Sequence, residues 1–284
     1  MDRGVLSVVA TPIGNLGDLS PRARETLGQV DLIAAEDTRH TRRLLRHFGI
    51  ATPLVAFHEH NEREMGAALL HRLMAGEDIA LVSDAGTPLI SDPGYRLVRA
   101  ARQAGLRVSP APGPSALIAA LSVAGLPSDR FVFEAFPPRT ARQRREWLGA
   151  MAAERRTWIF YESSHRIAAT LADLCEVVGE ARELVVAREL TKVHETLLGG
   201  AAREVLRRLE EDADQRKGEF VVLVRGAPSS TTDAASGEAL RVLNILLADL
   251  PLKQAVALAA RITGEKKNKL YKLALERPVS PPSP

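Results

Sequence analysis

Six short stretches of this chain gather ionisable and small residues, and most of them directly follow an apolar run. Glu36-Asp37-Thr38-Arg39-His40 places four ionisable groups within five residues behind the run 30–35. Carboxylates so placed can orient or deprotonate a hydroxyl, and an arginine beside them can hold a phosphate. The same acids would also suit a solvated helix start, where they favour the positive end of the dipole. The stretch 81–94, LVSDAGTPLISDPG, crowds Asp84, Gly86, Pro88, Asp92, Pro93 and Gly94 behind another apolar run. Gly86 would let backbone approach a ligand, and Asp92-Pro93 reads as an N-cap followed by proline at the first helical position. Residues 110–115, PAPGPS, feed Ser115 and Ala116 into an apolar helix, an arrangement suited to an anion at a helix N-terminus.

Other groupings carry less chemistry. His58-Glu59-His60 has the spacing of two metal ligands, but no third ligand is placed by spacing, so surface histidines are the plainer reading. Tyr161-Glu162-Ser163-Ser164-His165-Arg166 sets serine near histidine without a G-x-S-x-G elbow, which favours helix capping for Ser163 or Ser164. Cys175 lies in an apolar helical pattern and reads as buried filler. The arginines at 139, 142, 144 and 145 read as a solvated helix face that would meet phosphate only beside a cleft. A further strand end, 188–195, carries Leu190, Lys192 and Glu195.

The elements that must position these groups follow from periodicity. Apolar runs at 5–10, 30–35, 54–60, 78–83 and 106–108 alternate with helical patterns, including 93–104. That alternation implies α/β architecture with a mostly parallel sheet. Ligands in such sheets bind outside the carboxyl ends of the strands, where the stretches above fall. The loop at 11–18 lacks both G-x-G-x-x-G and a Walker lysine, which weakens any dinucleotide or triphosphate reading. A shift to proline and phenylalanine between 125 and 138 marks a boundary, and strands recur at 157–161, 184–187 and 220–224. Residues 226–237, GAPSSTTDAASG, read as a linker. The expected organisation is an N-terminal α/β domain at 1–125, a second at 126–226 and a basic helical module at 237–277.

With 284 residues, 45% hydrophobic and 26% charged, the chain has the balance of a globular protein with a sizeable core. Its single cysteine excludes an internal disulfide and fits a cytoplasmic location. No run reaches the roughly 18 apolar residues that span a bilayer, and no signal peptide is evident. The total charge is +3, and the segment 237–277 alone holds a net of +4, leaving −1 for the rest. Lys266, Lys267, Lys269 and Lys272 there suggest contact with nucleic acid. The Pro/Ser end from Pro278 reads as disordered.

In order along the chain, TPIGNLGDLS, AAEDTRHT, LVSDAGTPLISDPG, PGPSALIAALSVAGLPSDRF, FYESSHR and ARELTKVHET resemble the bacterial 16S rRNA (cytidine 2'-O)-methyltransferase I family. That family lies in the tetrapyrrole methylase superfamily, and the similarity continues into KKNKLYKLALE. The resemblance implies two tetrapyrrole methylase-like α/β domains with mostly parallel and mixed sheets, plus a small C-terminal helical module. It implies S-adenosylmethionine as methyl donor, the 2'-hydroxyl of cytidine 1402 of 16S rRNA in the small ribosomal subunit as acceptor, and a homodimer. Donor contacts carried over by motif are Pro12, Ala85, Gly86, Thr87, Ser115, Ala116, Tyr161 and Leu190. At 85–88 the superfamily's G-G-D-P is replaced by A-G-T-P, which leaves backbone contacts and puts side-chain contacts there in question. Glu36, Asp37 and Arg39 are the candidates for the acceptor site, with Lys192 and Glu195 behind them. Two other readings are a methyltransferase for a tetrapyrrole or other small molecule, and a non-enzymatic RNA-binding factor in ribosome assembly. The basic tail argues against the first and the ligand-shaped loops against the second.

Overall fold

The four-residue strands at 32–35 and 79–82 are buried along their whole length, as expected of parallel strands covered on both faces. In the computed structural model, which describes residues 3–228 and 231–275, they belong to a five-stranded parallel sheet. The elements run β1 (Val5–Val9), α1 (Pro21–Gln29), β2 (Leu32–Ala35), α2 (Thr38–His47), β3 (Leu54–Ala56), α3 (Glu62–Met74), β4 (Ile79–Val82), α4 (Tyr95–Gln103), β5 (Arg107–Ala111) and α5 (Ala116–Val123). The strand order is β3-β2-β4-β1-β5. The chain therefore moves outward from β1 to β3, returns to β4 and then passes β1 to reach β5. The loops after β1 and β4 are neighbours at that reversal, where doubly wound sheets form their crevice.

A second sheet follows: β6 (Phe131–Phe133), α6 (Ala141–Met151), β7 (Thr157–Ser163), α7 (Ile167–Val177), β8 (Glu183–Arg188), β9 (Thr196–Ala201), α8 (Ala202–Glu211) and β10 (Glu219–Val224). Its order is β6-β7-β10-β8-β9, with β6 and β7 parallel and the other pairs antiparallel. The sequence pattern does not reveal β6 or β9. The first is only three residues long, and Gly199-Gly200 interrupts the alternation of the second. Ile13, Leu117, Ala120 and Leu121 share one apolar cluster with Ile159, Val185, Val221 and Leu223. That cluster joins the first sheet's loops and α5 to the face of the second sheet.

Local chemistry accounts for several element ends. Ser20 accepts a hydrogen bond from the Ala23 N–H at 3.1 Å, and Pro21 opens α1, as the sequence predicts. Other expectations are corrected. α4 begins at Tyr95 rather than residue 93, with Gly94 as its N-cap at φ 127°. Glu62 supplies the missing acceptor, taking the Gly94 N–H at 3.0 Å, so Asp92 does not cap the helix. The third strand stops at Ala56, not residue 60. Arg166 occupies the N-cap position of α7, so neither Ser163 nor Ser164 does. The arginine run is a solvated face at Arg139, Arg142 and Arg145, which are exposed, but not at Arg144, which is buried and ion-paired with Asp173 at 2.5 Å.

The chain packs as one compact unit up to Gly226 and another from Ala227. In the second, α9 (Thr231–Asp249), α10 (Leu252–Thr263) and α11 (Lys267–Leu275) enclose Leu243, Ala255, Val256, Ala259 and Leu270. Helix thus begins inside the expected linker, at Thr231. Gly264, at φ 74°, ends α10 in the left-handed conformation, and a short turn leads into α11. The Pro/Ser end from Pro278 lies outside the described residues.

Candidate active site

Two strand-tip loops meet first. The Thr11 N–H donates to the Gly86 carbonyl at 2.9 Å, and the Gly86 N–H returns a bond to the Thr11 carbonyl at 3.0 Å. Gly86 has φ 82°, and a Cβ there would make only ordinary contacts, so its conformation rather than its space calls for glycine. The Thr87 hydroxyl donates to the Pro114 carbonyl at 3.0 Å and ties in the loop that precedes α5. Ser115 is the N-cap of α5, yet its side chain makes no capping bond and lines the cleft. From the second sheet comes the turn at 189–192. Gly14 packs so closely on it that an added Cβ would sit 2.4 Å from the Lys192 Cγ. All five non-glycine residues with positive φ among the described residues (Leu89, Ser91, Ala135, Glu189, Thr191) fall in loops around this cleft. Such strain concentrates at ligand sites.

The cleft has a volume of about 520 Å³. Its apolar lining includes Ile13, Ile90, Ala116, Leu190 and Val221, and its acids include Glu36, Asp84 and Asp92. The acids cross-link two strand tips. The Asp37 N–H donates to Asp84 Oδ1 at 2.9 Å, and the Asp84 N–H donates to Glu36 Oε2 at 3.4 Å. Burial pushes the Glu36 carboxyl above its ordinary range against a bond from the Asp84 N–H, with repulsion from Asp84 and Asp37 adding to the rise. Burial likewise pushes Asp92 up to about 6, opposed by a hydrogen bond with Ser83 and reinforced by Glu36 and Asp84. Burial raises the Tyr161 hydroxyl too, and its ring meets Phe133 and Phe136 edge-on. The site is therefore built to take a cation and a flat apolar group together.

Charges from the second sheet are engaged with one another. Glu162, 2% exposed, accepts from Thr170 Oγ1 at 2.6 Å, Arg166 Nε at 2.9 Å and the Ser163 N–H at 2.8 Å. Lys192 Nζ donates to Glu189 at 2.9 Å and Glu219 at 3.0 Å. Burial disfavours that ammonium, but the two carboxylates outweigh it and raise its pKa.

A second cavity of about 300 Å³ shares Ile13, Asp84, Ala85, Lys192 and Glu219 with the first and adds Pro12, Gly14, Leu16, His40 and Arg43.

Of the residues picked from sequence, Glu36, Ala85, Gly86, Thr87, Ser115, Ala116, Tyr161, Leu190 and Lys192 line the main cleft, and Pro12 lines its neighbour. Asp37 and Arg39 line neither. Asp37 caps α2 and forms a two-bond pair with Arg39, which holds its carboxyl well below the usual range. Glu195 accepts from the Thr191 N–H at 2.6 Å and braces that turn. Sequence reasoning overlooked Phe136, Gly218, Glu219 and Phe220. Phe136 follows β6, a strand too short to show in the pattern, and Gly218, Glu219 and Phe220 lie at the start of β10, which runs antiparallel to its neighbours. Its amino end therefore lies beside their carboxyl ends, Glu219 opposite Ser163 and Phe220 opposite Arg188. Only the pairing could have exposed that wall.

Residues 5–206 match the family described as Tetrapyrrole (Corrin/Porphyrin) Methylases, and residues 233–278 match the RsmI C-terminal HTH domain. A protein of Pseudomonas aeruginosa named ribosomal RNA small subunit methyltransferase I is 58% identical over 278 residues, covering 98% of this chain and 99% of that one. One of the same name from Escherichia coli O157:H7 is 56% identical over 275 residues, with 97% and 96% covered. Among solved structures, the uroporphyrin-III-C-methyltransferase of Thermus thermophilus matches with a TM-score of 0.56 at 20% identity, over 78% of this chain and 94% of that one. The methyltransferase CobJ matches at 0.58 and 20%, over 79% and 95%. At that identity the two structures speak for the fold.

Proposed function

We propose, from the premise that this chain belongs to the tetrapyrrole (corrin/porphyrin) methylase family, that its cleft holds S-adenosylmethionine facing a ribose of small-subunit ribosomal RNA. The chain is an S-adenosylmethionine-dependent methyltransferase of that RNA, the activity carried in the name of relatives that match almost its whole length. The finer reading is methylation of the 2'-hydroxyl of cytidine 1402 of 16S rRNA. It rests on the six motifs, and on a cleft whose shape and charge suit this donor.

The fit is chemical. Glu36, Asp84 and Asp92 give the cleft the negative potential that a sulfonium with an α-amino group requires. Ser115 has a hydroxyl free of capping duty, and Gly86 sets bare backbone beside it. Ile13, Ala116 and Leu190 offer a dry wall for an adenine ring. Pro12, Ala85, Thr87 and Tyr161 complete the donor contacts in this reading. When bound, the donor supplies an electrophilic methyl group: its carbon–sulfur bond breaks as a carbon–oxygen bond forms, sulfur keeps the electron pair, and the hydroxyl proton is released.

The chain's own part is position and proton handling. Glu36, half-buried and bonded to one N–H among the described residues, is the group that orients the ribose hydroxyl and takes its proton. Asp37 fixes the Arg39 guanidinium at the outer edge of the same strand tip, where it meets a phosphate. The basic helices α10 and α11 add contact with RNA, and the family reading brings a cytoplasmic location. It also brings a homodimer, for which α5 offers exposed Ile118 and Val123 on an otherwise apolar helix. Light scattering checks the dimer.

Labelled methyl transfer into small subunits, followed by alkaline hydrolysis, tests the function. A 2'-O-methyl group blocks cleavage at its own linkage, so one resistant, labelled dinucleotide beginning with cytidine is expected. Label that remains base-associated, or a small-molecule acceptor that outcompetes subunits, would reverse the finer assignment.

A further inference from the structure

The sequence places net positive charge in the C-terminal segment alone, but the fold lines up a second basic surface. Helix α2 reads TRHTRRLLRH. Arg39, Arg42, Arg43 and Arg46 recur at intervals of three and four, so they form one stripe about 10 Å long on the helix. All four are exposed. Arg39 is paired with Asp37, whereas Arg42, Arg43 and Arg46 have no ion pair among the described residues. The buried side of the same helix, Thr41, Leu44 and Leu45, is ordinary core, so packing gives no reason for so many cations opposite it.

This stripe borders the second cavity. Arg43 and His40 form part of its lining, Leu16 gives it an apolar edge 41% exposed, and Lys192 and Asp84 stand in the wall it shares with the main cleft. Its volume, about 300 Å³, is at the lower end of small-ligand sites, roughly 300–1,000 Å³, which suits a single sugar and base better than a macrocycle. Charge shifts between the two spaces: Glu36 and Asp92 line only the main cleft, Asp84, Glu219 and Lys192 line both, and Arg43 and His40 line only the second. A cationic donor and a polyanionic acceptor need that division. Transfer also needs the two ligands to meet, and a shared wall is where they can.

We infer that the second cavity receives the target nucleotide of a locally single-stranded RNA, and that the α2 arginines hold the phosphates flanking it. Arg43 and His40 contact the phosphate and sugar of the inserted nucleotide. Leu16 lies against its base, and Lys192, held by Glu189 and Glu219, is a positioning residue at the sugar. Extrusion of one nucleotide into a pocket is the usual solution when the reacting atom is shielded within a structured nucleic acid. The inference rests on the RNA methyltransferase reading and adds the acceptor's route to it.

The test uses full-length protein with isolated small subunits. The double variant Arg42→Ala/Arg46→Ala and the single variant Arg43→Ala are compared with wild type. Subunit affinity is measured by filter binding over a range of salt, donor affinity by calorimetry, and folding by thermal denaturation. The double variant should bind subunits at least tenfold more weakly, with the slope of log affinity against log salt shallower by roughly 0.7 for each lost phosphate contact. Arg43→Ala should raise the KM for subunits about tenfold and also lower kcat, because it mispositions the inserted sugar. Donor affinity and melting temperature should stay at wild-type values in both. An unchanged salt slope in the double variant, or an unchanged KM in Arg43→Ala, overturns the inference while leaving the methyltransferase reading intact. Failure of the wild-type protein to methylate subunit RNA would overturn that underlying reading instead.

Discussion

Glu36 and Glu162 both stand at the tip of a strand on the wall of one cleft, and their surroundings differ. Glu36, after β2, accepts one long bond from the Asp84 N–H and is repelled by Asp84 and Asp37. Glu162, in β7, accepts from a serine N–H, an arginine and a threonine hydroxyl, and is sealed from solvent. The first carboxylate has acceptor capacity to offer a substrate. The second has none, and instead locks β7 to α7. The same division runs through the whole site. The parallel sheet presents Glu36, Asp84, Asp92 and Ser115 largely unneutralised, while the mixed sheet presents groups that neutralise each other. In the proposed reaction one side carries the chemistry, and the other is the wall against which it is aimed.

Substitutions that exchange the two behaviours test this contrast. Glu36→Gln should reduce methyl transfer by at least about 100-fold, the usual scale for a lost general base, with donor affinity and unfolding midpoint near wild type. Normal turnover in that variant would place the proton acceptor elsewhere. Glu162→Ala should do the opposite. It leaves Arg166 and Thr170 without their acceptor in a buried site, so urea unfolding should show a loss of about 3–5 kcal/mol, with activity falling only as the folded fraction falls. Gly86→Ala lies between the two. Its φ of 82° costs a side chain about 1–2 kcal/mol although no atom clashes, and donor affinity should drop with the loop geometry.

Asp92 gives the smallest effect and sharpens the comparison. Its folded pKa of about 6 lies above the ordinary 3.8, so the native state keeps this proton where the unfolded chain has lost it. Stability from this group is therefore full at acidic pH and declines as pH rises from about 4 to about 6. Asp92→Asn should flatten that part of the stability–pH curve, measured by denaturation at stepped pH. An unaltered slope would mean that burial, with the smaller repulsion from Glu36 and Asp84, does not hold the proton on Asp92.

The strand-tip loops were legible in the sequence because their signals are local: glycine at positive φ, serine before a helix, acids directly after an apolar run. Those signals point to Glu36, Asp84, Gly86 and Ser115 in the main cleft, whereas Pro12, Tyr161 and Leu190 came from the family resemblance. The caps at Asp92 and Ser163 were misread for a related reason. A competing acceptor, Glu62, reaches α4 from another helix, and Arg166 takes the N-cap position of α7. Nothing near those positions in the sequence announces either. The basic stripe on α2 was equally hidden, since its charge is cancelled in the total by acids elsewhere. What the amino-acid order alone determined is which segments become loops able to face a ligand, because turn and cap chemistry acts over a few residues. Which carboxylates stay free, which wall an antiparallel strand contributes, and which arginines border a cavity were decided only in the tertiary structure, because those outcomes depend on partners 30 to 100 residues away, as between Gly94 and Glu62 or Arg3 and Ala104.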